Sequence, residues 1–313
     1  MTARVSTYSI IARHKKTGQF GIGVQSHWFA VGSLTPWIER GVGAVVIQAQ
    51  VDAIYGSLGL DMMRAGKSAE QTVAAMVAAD PRSAERQVAM IDKRGQVVAH
   101  TGENCVAYAG HIIDDQFGVQ GNLLKGKEVL EAMADAYKKA VADDIGDFSE
   151  RLLRALEAGQ DAGGDVRGRQ SASLLVVPGS DDPVDRRMIT DLRVDDSKHP
   201  LIDLRRLLTV QRGYEWYAQA TYAVEVGNLD EAKKCYANLR GLAVGTREPQ
   251  FWYATILAKH GHLDEALPVF EEVFQVEPFW LGLIDRLVDA GSFPSDKEII
   301  AKIKAKAKAE GKQ

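Results

Sequence analysis

Residues 5–13, VSTYSIIAR, and residues 19–27, QFGIGVQSH, are two extended runs joined by Lys15-Lys16-Thr17-Gly18. In the first run alternation sets Thr7 and Ser9 on one strand face and Tyr8 and Ile10 on the other. Gly18 suits the positive φ that a tight connection requires, so the pair reads as an antiparallel hairpin. This opening decides the fold class, because a hairpin at the head of the chain is foreign to a strand-helix-strand start.

The segments that follow extend the pattern. GAVVIQAQ at 43–50 is a third, largely apolar strand. Leu58, Met62, Val73, Met76 and Val77 recur at helical spacing across 57–79, where Gly66 divides the segment and Ser68 is a candidate N-cap for its second half. RQVAMID at 86–92 and QVVAH at 96–100 flank Lys93-Arg94-Gly95 as a second hairpin, and two more extended runs fall within 104–119. Helices are expected at 126–141 and 148–158, a glycine-rich loop at 159–168, and strands at 171–177 and 187–194. Strands and helix pairs arriving in blocks favour an α+β sandwich, with helices packed on stacked antiparallel sheets, over a doubly wound parallel sheet. GGDVRGRQS lacks both the G-x-G-x-x-G spacing and a Gly-Lys-Ser/Thr end, which argues against a phosphate cradle.

The 313 residues are enough for a large domain and a smaller one, and a net charge of −4 offers no basic stripe for nucleic acid. With no basic-then-apolar leader and no run of ~18 apolar residues, the expectation is a soluble, cytoplasmic protein with no membrane partner. Cys105 and Cys235 have no metal or redox spacing and read as small buried residues. The histidines are scattered without a His-Glu-x-x-His spacing, so no metal or cofactor is expected. Ser26 and His27 are adjacent on a strand, point to opposite faces and make a poor dyad.

Beyond about residue 200 the pattern is helical. GNLDEAKKCY at 227–236 and GHLDEALPVF at 261–270 align position by position, with Gly227 and Gly261 separated by 34 residues, the period of tetratricopeptide repeats. The expected division is 1–211 for the sandwich and 212–313 for a small all-α helical-repeat region. Two repeats do not make a free-standing solenoid, so they are expected to dock on the first domain or on another subunit.

Four polar clusters interrupt the apolar strands. Thr7 and Ser9 form the first. Gln48, Gln50 and Asp52 share a strand face, as either a pocket mouth or a strand running into solvent. Asp165, Arg167 and Arg169 lie among glycines ahead of Ser171 and Ser173, as either a carboxylate-binding fork or a solvated loop with an Asp-Arg pair. Asp191, Arg193 and Asp195 alternate before a helix that Pro200 is placed to begin.

TYSIIARHKKTGQFGIGVQSHWFAVGSLTPW, GVGAVVIQAQ, YAGHIIDDQFGVQGNLL, LEAGQDAGGDVRGRQSASLLVV and DLRVDDSKHPLIDLRRLL together resemble DUF1028, a family of unknown function placed among the N-terminal-nucleophile hydrolase-like proteins. The resemblance spans about residues 5–211 and implies a four-layer α-β-β-α sandwich. It implies Thr7 as nucleophile, with its own α-amine as the base, so the bond before Thr7 must be absent from the mature chain. On that reading Asp165, Arg167 and Arg169 position a substrate carboxylate. A Gln120-Gly121-Asn122 turn supplies oxyanion donors, with Asn122 as catalytic candidate, and Gln48, Asp52 and Ser171 contact the substrate. The expected activity is hydrolysis of an amide bond in a small molecule or short peptide. The alternatives are a water-activating Asp165 or Asp52, and an inert sandwich that binds partners through its helical repeats.

Overall fold

The alternation that sets Thr7 against Tyr8 is realised in the computed structural model, which describes residues 4–5, 7–180 and 189–307. The opening run differs from expectation in being two strands, β1 (Arg4–Val5) and β2 (Thr7–Arg13), in two different sheets. A period of two is identical in either sheet, so alternation carries no mark of the crossing. β2 pairs antiparallel with β3 (Phe20–Ser26), Thr7 opposite Ser26 and Arg13 opposite Phe20, and Gly18 between them sits at φ 74°.

One sheet is built on β5 (Gly43–Gln50). One edge of β5 is shared by β4 (Pro36–Glu39), which covers Gly43 to Val46, and by β1, which pairs with Ala49 and Gln50. Its other edge pairs with β6 (Arg86–Asp92), which leads to β7 (Val97–Thr101). Helices α1 (Ile54–Arg64) and α2 (Ala69–Ala79) cover the outer face, where Val45, Ile47, Val88 and Met90 bury against Tyr55, Leu60, Met63 and Val73. Ser68 caps α2 as expected: its hydroxyl accepts the Gln71 amide, and the Gln71 side chain accepts the Ser68 amide, both at 3.1 Å. A cap of this kind contributes about 1 kcal/mol.

The second sheet contains β2, β3 and four further strands: β8 (Gly110–Asp114), β9 (Phe117–Gly121), β10 (Ser171–Val177) and β11 (Thr190–Val194). Their order is β11-β10-β3-β2-β9-β8, all antiparallel, and β10 matches its expected bounds. Helices α3 (Glu128–Ala142) and α4 (Phe148–Asp161) pack together and over this sheet's outer face. The inner faces meet through Ile11, Ile22 and Val24 on one side and Ala44, Val46, Ala89 and Ile91 on the other. Each large aliphatic side chain buried there contributes ~1.5–3 kcal/mol.

The chain divides into two compact units, Met1–Arg205 and Arg206–Gln313. Helix α5 (Pro200–Glu225) begins at the expected proline. The second unit is helical, with α6 (Leu229–Arg240), α7 (Glu248–Lys259), α8 (Leu263–Val276), α9 (Leu281–Asp289) and α10 (Lys297–Lys306) around a core that includes Phe251, Phe270 and Ile284. Gly227 and Gly261 take φ 79° and 85°, and each stands two residues before a helix. No helix of the described residues is long and apolar enough to cross a membrane.

Candidate functional site

Above the apolar part of the inter-sheet core the same strand faces turn polar. Antiparallel register places Thr7 opposite Ser26 and Ser26 opposite Ser171, so three hydroxyl residues form one row across β2, β3 and β10, all fully buried. The Thr7 hydroxyl lies 3.3 Å from the Ser26 hydroxyl, to which it donates. One step along β2, the Ser9 hydroxyl donates to Gln48 Oε1 at 2.8 Å, bridging the two sheets.

The bridge continues through carboxamides. Gln48 Nε2 donates to the Thr7 carbonyl at 3.1 Å and to Gln87 Oε1 at 2.8 Å. Gln87 Oε1 also accepts Asn122 Nδ2 at 2.9 Å, while Gln87 Nε2 lies 2.8 Å from the Gly121 carbonyl and 3.0 Å from the Gly110 carbonyl and Thr101 Oγ1. The Thr7 carbonyl accepts a second bond, from the Asn122 amide at 3.0 Å. Gln87 was not singled out in the sequence, where it reads as one polar residue in an ordinary strand. Its signal was the parity it shares with inward-facing Ala89 and Ile91. Gln25, the register partner of Tyr8, is a further buried glutamine that sequence reasoning passed over, and Gln120, expected in a turn, is buried as well.

Several of the expected site residues have partners within the fold. Gln120 and Gly121 belong to β9 rather than to a turn, and Gln120 Nε2 donates to the Val46 carbonyl at 3.2 Å. The Asn122 backbone amide and its Nδ2 each make a bond within the protein, to the Thr7 carbonyl and to Gln87 Oε1. Asp52 does not share the inner face with Gln48: β5 ends at Gln50 after Ala49, which takes φ 61°, and Asp52 turns to the Ile54 amide and to Arg86 Nη2, each at 3.2 Å. Arg86 is buried, and also donates to Asp80 Oδ2 at 2.7 Å and the Gln50 carbonyl at 2.8 Å. Ser171 binds the segment after β3, donating to the Trp28 carbonyl and accepting the Val31 amide.

The loop from Gly163 to Gln170 lies beside this row, since the Gln170 amide donates to the Ser26 carbonyl at 2.9 Å. Asp165 is buried with its carboxylate on Arg167, Oδ2 to Nη2 at 2.8 Å and Oδ1 to Nε at 3.1 Å, so the Asp-Arg pair of the blander reading is present. Asp165 Oδ1 also accepts the Arg167 amide at 2.9 Å. Lys125, Gln160, Asp165, Arg167 and Arg169 line a cavity of about 490 Å³, in which Gly163, at φ 118°, leaves space that a β-carbon would take from the Lys125 side chain. Thr7 does not line it. Under the loop, burial holds the Tyr8 phenol well above its ordinary pKa; the Asp165 charge adds to this and Arg169 opposes it.

Two facing antiparallel sheets, each covered by a helix pair and joined by a buried hydroxyl-carboxamide network, define a mixed α+β unit with a polar inner site. The Family of unknown function (DUF1028) matches residues 7–204, and the chain belongs to that family. A crystal structure of a DUF1028 protein from Silicibacter pomeroyi is similar to it at 30% sequence identity and a TM-score of 0.58, over 65% of this chain and 88% of that one. No curated protein matches the chain.

Proposed function

We propose that the first unit is a hydrolase of the N-terminal-nucleophile type, acting on an amide bond in a small molecule or short peptide, with Thr7 as nucleophile. The observation that carries this reading is the placement of Thr7. It stands at the head of a central strand in a buried row with Ser26 and Ser171, its carbonyl fixed by Asn122 and Gln48. The layering of helix pair, sheet, sheet and helix pair is that expected of the α-β-β-α sandwich.

The chemistry requires the bond between Ser6 and Thr7 to be absent. A free Thr7 α-amine, with a pKa of about 7.7–8.0, then accepts the hydroxyl proton as Oγ1 attacks the substrate carbonyl. The amine returns that proton to the leaving nitrogen as the C–N bond breaks, and water hydrolyses the Thr7 ester. Removing residues 1–6 also strips β1 from Ala49 and Gln50, which opens the edge between the sheets near Thr7. Asn122, whose backbone amide already reaches the Thr7 carbonyl, turns its Nδ2 from Gln87 to the oxyanion, a role worth ~2.7–4 kcal/mol per donor.

An intact mass of the purified native protein tests the first requirement, and the expected species begins at Thr7. With an amide substrate in hand, Thr7→Ala is expected to abolish turnover; full activity in that variant refutes the mechanism. A second reading is favoured by the burial of Thr7 and its absence from the cavity wall: an inert sandwich serving a tetratricopeptide-like binding module. The repeated glycine-to-helix starts at Gly227 and Gly261 support such a module. An unprocessed chain without amidase activity is the outcome expected on that reading.

A further inference from the structure

The cavity at the glycine loop shares a wall with another. Gln160 and Arg169 line both the 490 Å³ cavity and an adjoining one of about 310 Å³, whose other walls include Glu157, Asp161, Leu201 and Ile202. Each volume falls in the ~300–1,000 Å³ range of small-molecule sites. Their charges differ in kind once internal pairs are removed.

In the first cavity Arg167 is neutralised by Asp165, whereas the side chains of Lys125 and Arg169 make no hydrogen bond or ion pair among the described residues. In the second, Glu157 is held by Arg205, Oε1 to Nε at 2.6 Å and Oε2 to Nη2 at 2.7 Å, while Asp161, the last residue of α4, has no such partner among them. The Lys125 side chain therefore faces the first space, an uncompensated carboxylate the second, and Arg169 stands at the wall they share. Leu201 and the largely exposed Ile202 add an apolar wall on the acidic side. Tyr8, anchored under α4, places its hydroxyl 3.5 Å from Gln160 Oε1 at the shared wall.

We propose that the joined cavities form a binding site for a short peptide with both termini free. Its C-terminal carboxylate lies on Lys125 and Arg169, its α-ammonium faces Asp161, and an apolar N-terminal side chain rests against Leu201 and Ile202. A free amino acid carries its two charges on one carbon and does not span both spaces. The proposal shares with the hydrolase reading only its short-peptide ligand class and does not depend on Thr7 as nucleophile.

The test is calorimetric titration of the full chain carrying Thr7→Ala, at about pH 7, where the α-amine of a short peptide is mostly charged. The ligands are leucyl-glycine, its N-acetyl form, its C-terminal amide and free leucine. Leucyl-glycine is expected to bind at least about tenfold more tightly than the other three, one charged contact being worth about that factor. Arg169→Gln is expected to weaken leucyl-glycine while leaving the amide unchanged, and Asp161→Asn to weaken leucyl-glycine while leaving the acetyl form unchanged. Equal binding of all four ligands, or no binding of leucyl-glycine at millimolar concentration, overturns the proposal. Binding by the Thr7→Ala chain alongside unprocessed native protein would remove the hydrolase mechanism and leave this site standing.

Discussion

Replacing Gln87 by Leu tests whether the carboxamide network joins the two sheets. Leu keeps most of the volume and removes both polar ends. Asn122 Nδ2 loses the acceptor it has at 2.9 Å, Gln48 Nε2 keeps only the Thr7 carbonyl, and Gly110 and Gly121 lose a donor to their carbonyls. One orphaned buried amide costs ~1–3 kcal/mol, and each weakened neighbour up to about 1 more. A loss of about 3 kcal/mol follows, a large fraction of the ~5–15 kcal/mol that holds a domain folded. At ~2–4 °C per kcal/mol for a unit of this size, the first unit should melt about 6–12 °C lower. Scanning calorimetry of the full chain gives the shift, and hydrogen exchange at β6 and β9 assigns it to the first unit. Gln48→Leu should cost less in the Gln87→Leu background than alone, since the two share a bond. A shift below about 1 kcal/mol, or strict additivity, would show that the sheets are held by their apolar contacts alone.

Asp80→Asn should destabilise the first unit by about 3 kcal/mol, because it leaves the buried Arg86 guanidinium without its closest carboxylate. Burial tends to raise the Asp80 pKa, yet bonds from Arg86, the Arg82 amide and Tyr55 hold it below its usual value. A urea midpoint within error of the parent would rule out this ion pair as a structural tie. Stability should also fall on mild acidification. Desolvation, with the charge of His100 added, lowers the His111 pKa, and desolvation with Arg151 and Lys16 lowers that of His14. The folded state favours both rings neutral, so their contribution is complete above the unfolded value near 6.5 and is lost as pH falls through the lower folded values. Melting temperatures should decline as pH drops below about 6, and His111→Gln should flatten part of that slope; an identical slope in the variant would assign the acid sensitivity elsewhere.

The parts of the fold legible in the sequence were those where one local rule decides. Gly43–Gln50 and Ser171–Val177 match their expected bounds because unbroken apolar runs flanked by turn residues leave little freedom. The Gly66 break and the Ser68 cap follow from backbone chemistry within a few residues. β4 was missed because Pro36 counts against a strand, although an edge strand tolerates it. The candidate site was legible as residue types more than as partners. Thr7, Ser9 and Gln48 do meet, whereas Asp52 and Asn122 are drawn to Arg86 and Gln87, residues distant in sequence with no local signature. Arg167 and Arg169 look alike in the loop; only Asp165 in three dimensions separates the neutralised guanidinium from the available one.

The short crossing of the chain between its two sheets also matters for how the protein associates. β1 fills the half of the β5 edge that β4 leaves open, so Ala49 and Gln50 have a backbone neighbour. A cut ahead of Thr7 would therefore do more than bare an amine. It would present a short stretch of unsatisfied strand edge, a surface that readily recruits another extended segment. Processed and unprocessed chains should then differ in self-association as well as in mass, and size-exclusion behaviour would sort the two populations before any substrate is known.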